Sequence, residues 1–334
     1  MVFRESKSVA NHPHSIPTLL IEKSLSLLRL RNLEGELKTE NNFRSGFISI
    51  IGRPNVGKST LLNAVVGEKI AAVSEKPNTT RNRIIGVKNL PDAQLIFLDT
   101  PGIHKAKGEL GKVMVETAMS TIGEADVILM MIDVKEPFGK GDRFIIDSLS
   151  KPAILVINKI DTVRKSEILE IISESQKFEG KFIEVIPVSA LRADGIDDLL
   201  TTIKNYLPEG PKYFPDDMIT DQPERFLVAE LIREKIFNLT REEIPYKTAV
   251  VVEEFEDIPE KNLVRVSAII YVERDTHKGI IIGEGGKMLK QVGTLARVDI
   301  ERILGVKVYL QLWVKVKERW TENTNLVREF GYGS

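Results

Sequence analysis

Gly52-Arg53-Pro54-Asn55-Val56-Gly57-Lys58-Ser59 sets two glycines, a lysine and a hydroxyl at the spacing that wraps a polyphosphate. The backbone N–H groups of Gly52 to Thr60, Val56 and Gly57 among them, can turn inward around a β-phosphate at a helix N-terminus. Lys58 would reach the β- and γ-phosphates, and the Ser59 hydroxyl would ligate Mg²⁺. Asp99-Thr100-Pro101-Gly102 closes an apolar run. It offers Asp99 to Mg²⁺ through water and the Gly102 N–H to a γ-phosphate, with freedom to hinge.

Asn158-Lys159-Ile160-Asp161 ends another apolar run. The Asp161 carboxylate can accept hydrogen bonds from both N1–H and the 2-amino group of guanine, a pair that adenine does not present. Lys159 would lie along base and ribose, and Ser189-Ala190-Leu191 would meet the guanine carbonyl through backbone N–H groups. Alone, a glycine-rich turn, Asp-Thr-Pro-Gly or Ser-Ala-Leu is ordinary loop chemistry. Their order and their shared position after apolar runs point to GTP or GDP with Mg²⁺.

Pro77-Asn78-Thr79-Thr80-Arg81 supplies two hydroxyls between the first two motifs. One would ligate Mg²⁺ only while a γ-phosphate is present; Thr80 is favoured and Thr79 is the near alternative. In Ras-like enzymes a glutamine after Asp-x-x-Gly orients the attacking water, but Ile103 stands here. An asparagine at position 55 beside an apolar 103 resembles GTPases that hold K⁺ between the phosphates. Catalysis would then rest on Lys58, Thr80, Gly102 and Asn55, with K⁺ at Asn55 and slow intrinsic turnover.

These groups need a scaffold of buried strands. Phe47–Ile51, Ala93–Leu98, Ala125–Ile132, Ala153–Ile157 and Phe182–Val188 are short apolar runs, and Ile196–Tyr206 has helical spacing. The expected fold is an α/β P-loop NTPase, a Ras-like G domain with a doubly wound, mostly parallel sheet over residues 43–206. Prolines and glycines mark a linker at 207–217.

Beyond the linker, Glu224–Leu239 is helical in spacing, and Thr248–Glu253 and Val264–Val272 are strand-like. Gly279–Leu304 is expected as two helices broken at glycines. Val306 to Val316 alternates apolar with polar residues, the pattern of a half-buried strand. This is a smaller α+β domain at 218–320, with a C-terminal tail at 321–334. Ile282-Gly283-Glu284-Gly285-Gly286-Lys287 puts Gly-x-x-Gly between its helices, with Lys278 and Lys290 nearby. In type II KH modules such a loop clamps about four nucleotides by their backbone. Gly-x-x-Gly alone is more often a plain turn, and the surrounding order of elements raises it above that.

A length of 334 residues suits two domains, and no apolar run reaches the roughly 18 residues that span a bilayer. With no cysteine, disulfides and thiolate metal sites are excluded, and cytoplasm is the expected compartment. The net charge of −1 hides a strong asymmetry. Asp216–Glu260 holds 13 acidic and 5 basic residues, Lys278–Arg319 holds 9 basic and 4 acidic. A basic patch on one face can bind phosphates whatever the total charge. Residues 1–42 differ from the rest, with a leucine-rich stretch broken by Glu22, Lys23 and Arg29, and are expected as a short helix or a disordered extension.

Taken together, these motifs and the order of one G domain followed by KH resemble the Era family, bacterial GTPases of small-subunit ribosome assembly. The resemblance covers residue 43 to the end and includes Tyr213-Phe214-Pro215-Asp216-Asp217. It implies GTP hydrolysis, binding of the 3′ end of 16S rRNA and the 30S subunit through the KH loop, and nucleotide gating of that binding. It also implies a monomer with peripheral association at the inner face of the cell membrane, which none of these residues shows. An ATP-using P-loop enzyme and a GTP-binding adaptor without turnover are the alternatives; Asp161 opposes the first, and Ile103 keeps the second open.

Overall fold

The computed structural model describes residues 43–103 and 108–332. The expected extension at 1–42 lies outside the described residues. The first sheet is built from β1 (Arg44–Gly52), β2 (Ile84–Leu90), β3 (Ala93–Asp99), β4 (Val127–Asp133), β5 (Ala153–Asn158) and β6 (Phe182–Pro187). Their order is β2-β3-β1-β4-β5-β6. Only β2 runs antiparallel, against β3. β3 and β5 are buried along their whole length, the signature of strands covered on both faces.

The covering helices are α1 (Lys58–Val66), α2 (Gly108–Glu124), α3 (Lys140–Ser148), α4 (Lys165–Ser175) and α5 (Ile196–Tyr206). In α5 the buried residues Ile196, Leu199, Leu200 and Ile203 fall on one stripe, which joins Leu61, Leu62 and Val65 of α1 on one side of the sheet. Ile128, Met130, Ile132, Ile145 and Ile171 pack on the other side. Because β1 lies between β3 and β4, the chain leaves it toward opposite sides, and the crevice at its carboxyl end is where such sheets bind ligands.

A second sheet, β7 (Thr248–Ile258), β8 (Leu263–Val272) and β9 (Lys307–Val316), pairs β8 antiparallel to β7 and parallel to β9. Helices α6 (Glu224–Leu239), α7 (Asp275–Ile282) and α8 (Lys287–Leu304) belong to the same part of the chain. Ile232, Ile236, Val292, Ala296 and Ile300 share a core with Val266, Ile270 and Val308. The strand expected at Thr248–Glu253 runs on to Ile258.

Residues 207–217 are strapped down. The fully buried Gln94 accepts from the Tyr213 and Phe214 N–H groups at 2.7 and 2.9 Å and donates to the Phe214 carbonyl at 2.8 Å. Near the C-terminus, a 3₁₀ turn at Trp320–Glu322 leads to α9 (Thr324–Glu329). Trp320, Val327, Phe330 and Tyr332 pack with Ala249 of β7 and with Leu110 and Met114 of α2, so this segment joins both sheets' surroundings in one cluster.

Candidate functional site

Four strand ends carry the chemistry. β1 delivers the loop Gly52–Ser59, β3 delivers Asp99, β4 delivers Asp133, and β5 delivers Asn158. A cleft is lined by residues of three motifs, including Asn55, Lys58, Ser59, Thr80 and Gly102. Gly57 has φ 102°, and an added Cβ would fall 2.2 Å from Asn158 Nδ2, so only glycine lets the loop pass so close to β5.

The Lys58 ammonium lies under the loop and donates to the Gly52 and Arg53 carbonyls at 3.2 and 3.0 Å. Burial pulls it down to about 8, against the attraction of Asp99. The Ser59 hydroxyl donates to Asp99 Oδ2 at 2.6 Å and lies 2.7 Å from the Thr80 hydroxyl. Asp99 Oδ1 is buried without a hydrogen-bond partner, and burial raises the pKa of this carboxyl. Two hydroxyls and a carboxylate with an open oxygen fit a hard divalent cation such as Mg²⁺. Thr80, not Thr79, faces this set: the Thr79 hydroxyl donates to the Lys76 carbonyl at 2.9 Å.

On the base side, Asn158 ties the site together, donating to the Val56 carbonyl at 2.8 Å and accepting from the Ala190 N–H at 3.0 Å. Lys159 donates to the Asn55 carbonyl at 2.8 Å and pairs with Asp133 at 2.5 Å. The Ser189 hydroxyl donates to Asp161 Oδ1 at 2.7 Å, and Arg192 lies 3.6 Å from Oδ2. Leu191 is exposed. Asn55 donates its side-chain amide to the Glu75 carbonyl at 2.5 Å, which leaves the amide oxygen as an acceptor. The Ile103 side chain is buried in the core with Ile51 and Ala118.

The loop around Thr80 is held from the far side by residues that sequence reading did not single out. Arg81, 2% exposed, donates to the Thr248, Pro245 and Tyr246 carbonyls at 2.8, 3.1 and 3.1 Å and lies over the rings of Phe237, Trp320 and Tyr332. Arg233 of α6, fully buried and paired with Glu230, donates to the Thr79 carbonyl at 2.5 Å. Nearby, Lys69 bridges Glu234 of α6 and Asp299 of α8 at 2.7 and 2.8 Å. Only the position of Arg81 next to Thr80 hinted at this in the sequence.

Gly283, Glu284, Gly285 and Gly286 form the turn between α7 and α8, with Gly286 capping α8. At Gly283, φ is 71° and an added Cβ would lie 2.7 Å from Met288 Cβ, so glycine lets the two helices close on each other. Beside Gly285 and Gly286 there is open space. Lys287 and Lys290 are exposed and Lys278 is half-buried, so the turn presents bare backbone flanked by positive charge.

A phosphate cradle at the end of β1, a guanine-type motif at the end of β5 and a Gly-x-x-Gly turn on a three-stranded α+β unit define a P-loop GTPase joined to a KH domain. The family model described as 50S ribosome-binding GTPase matches residues 47–159, and the KH domain model matches residues 243–321. The chain is 51% identical over 297 residues to the GTPase Era of Geobacter metallireducens, covering 88% of this chain and 99% of that protein. It is 54% identical over 294 residues to the GTPase Era of Clostridioides difficile, covering 87% and 99%. An Era protein solved with MgGDPNP and nucleotides 1506–1542 of 16S ribosomal RNA superposes with a TM-score of 0.85 at 46% identity, over 87% of this chain and 100% of that one. An Aquifex aeolicus Era variant bound to GDP and AlF₄⁻ superposes equally well. The chain belongs to the Era family of GTPases.

Proposed function

We propose that this chain hydrolyses GTP to GDP and phosphate, binds the 3′ end of small-subunit rRNA through its KH loop, and acts in assembly of the 30S subunit. Nucleotide state gates the RNA binding. The observation that carries the gating is the adjacency of Thr80 and Arg81: one faces Ser59 and Asp99, the next is buried against the KH domain. A loop ordered at the first place is thereby ordered at the second. Crosslinking in cells should place the contacted nucleotides within the last stretch of small-subunit rRNA. Contacts concentrated on another RNA would overturn this reading.

In the site, Lys58 and the backbone of Gly52–Thr60 hold the phosphates, and Asp161, with Lys159 and the Ser189–Leu191 backbone, selects guanine. Ser59, Thr80 and Asp99 would hold Mg²⁺, which would neutralise phosphate charge. Gly102 would present its N–H to the γ-phosphate. With the Ile103 side chain in the core, no side-chain amide follows Gly102 to orient water. The Asn55 amide oxygen would hold K⁺, which would supply charge compensation without an arginine. GTP hydrolysis should run faster in KCl than in equal NaCl; identical rates would remove Asn55 from catalysis.

Lys58 gives the site a pH signature. At neutral pH the ammonium is charged and ready for phosphate; as pH rises through about 8 the free site progressively loses that proton. The stability penalty of the buried charge is present below this pKa and is relieved as pH rises from about 8 toward the ordinary 10.5. Binding at alkaline pH must take a proton up, so GDP affinity should fall several-fold from about pH 7 to about pH 8.5. Calorimetry in buffers of different ionisation heat should show the uptake. A flat profile, or one that persists in Lys58→Met, contradicts the assignment.

Among the described residues no helix is long and apolar enough to cross a membrane. A cytoplasmic monomer with peripheral contact to the inner membrane face belongs to the same reading, and sedimentation and cell fractionation test it.

A further inference from the structure

β9 is an edge strand whose two faces differ sharply. Val308 and Val314 turn inward to the core shared with α6 and α8. The opposite face carries, in alternate positions, Lys307, Tyr309, Gln311, Trp313 and Lys315, and Lys317 follows. Tyr309 and Trp313 are 52% and 59% exposed, and the Gln311 amide reaches the Tyr309 hydroxyl at 3.4 Å, which places these side chains in one row. β8 adds Arg265 beside Tyr309 and Ile269 beside Trp313.

The described part of the C-terminal segment covers one end of this face. Phe330 stacks on Tyr271 at 4.5 Å, and Trp320 and Tyr332 pack with Ala249 and Val251, but Tyr309 and Trp313 lie outside that cluster. The two open rings are about 13 Å apart along the strand. Along β9 each stands between long polar or cationic side chains, and across the sheet Trp313 meets Ile269. A protein partner would favour a continuous apolar patch; separated aromatic faces with cations on either side of the pair suit a chain of stacked bases and phosphates.

We propose that the outer face of β9 is a second single-stranded RNA surface. Tyr309 and Trp313 stack bases there and Lys307, Lys315 and Lys317 take phosphates, for nucleotides beyond the four or so that the Gly283–Gly286 loop clamps. This rests on the reading of the KH domain as an RNA binder. Charge complementarity comes chiefly from Lys315 and Lys317, since Arg265 is paired with Glu256 of β7 at 2.9 Å and Lys307 lies 3.8 Å from Glu301.

The chain contains two tryptophans, and Trp320 is fully buried, so quenching of exposed indole emission reports Trp313. The full chain is titrated with oligouridine and with a 3′-terminal rRNA fragment. Gly285→Asp, at a position with open space and φ 58°, a left-handed conformation that aspartate adopts at some cost in strain, serves to repel phosphate from the loop. Trp313 emission should be quenched by both RNAs, and the quenching should persist in Gly285→Asp. Tyr309→Ala with Trp313→Ala should weaken the longer RNA about tenfold or more, while Trp313→Phe, which keeps a stacking ring, should restore most of the affinity.

RNA binding that depends on the loop without quenching Trp313 would overturn this proposal and leave the KH reading standing. Absence of any RNA binding would overturn both. Quenching by a ribosomal protein but not by RNA would make the face a protein-docking site and end the RNA assignment.

Discussion

Asp161→Asn should turn a guanine site into a xanthine site. A carboxylate accepts from both N1–H and the 2-amino group; an asparagine amide accepts one and confronts the other with its own N–H. Xanthine carries a carbonyl where guanine carries the amine, so the amide then finds a partner. Sites that pair a buried hydrogen-bonding group lose roughly 10⁴-fold when that pairing fails. Ser189 can still donate to the asparagine oxygen as it does to Asp161 Oδ1, at 2.7 Å, so local structure is retained. Competition between GDP and XDP measures the change. Undiminished preference for GDP would mean that Asp161 does not read the base.

Arg81→Ala should break the link between nucleotide and RNA. The substitution empties a socket formed by Phe237, Trp320 and Tyr332 and leaves the Thr248, Pro245 and Tyr246 carbonyls without their donor. Losing several charge-assisted bonds at a buried site costs on the order of 3 kcal/mol. The expected readout is RNA affinity that no longer differs between GTP-analogue and GDP states, with a lowered unfolding temperature. Arg81→Lys keeps the charge without the planar fork and should recover little. Tyr332→Phe removes one hydrogen bond, at 3.3 Å, and should give a folded protein with a partial loss of the difference. A wild-type difference in a folded Arg81→Ala protein would show that the socket is structural only.

Much of this architecture was legible because buried parallel strands are nearly pure apolar runs, and Ile196–Tyr206 and Glu224–Leu239 fold over the residues their spacing marks. β2 was not evident: Ile84-Ile85-Gly86-Val87-Lys88-Asn89-Leu90 is an edge strand with a glycine inside, and its apolar content is short. β7 outran its expected end because Glu254, Glu256 and Asp257 are exposed, and polar residues there hide a strand's continuation. The phosphate and guanine motifs are local in sequence and could be found by spacing. The Arg81 socket could not, since its walls come from α6, the turn before β7 and the C-terminal segment, brought together only by folding. Asp133 escaped for a similar reason, because its link to Lys159 crosses from one strand end to the next.

The proposed function turns on coupling of nucleotide to RNA through the Thr80–Arg81 loop. Filter binding of a 3′-terminal small-subunit rRNA fragment to the full chain, with a non-hydrolysable GTP analogue and with GDP at equal Mg²⁺ and salt, tests it most directly. RNA should bind more tightly with the GTP analogue; equal affinity in the two states would mean that the loop does not couple the two sites.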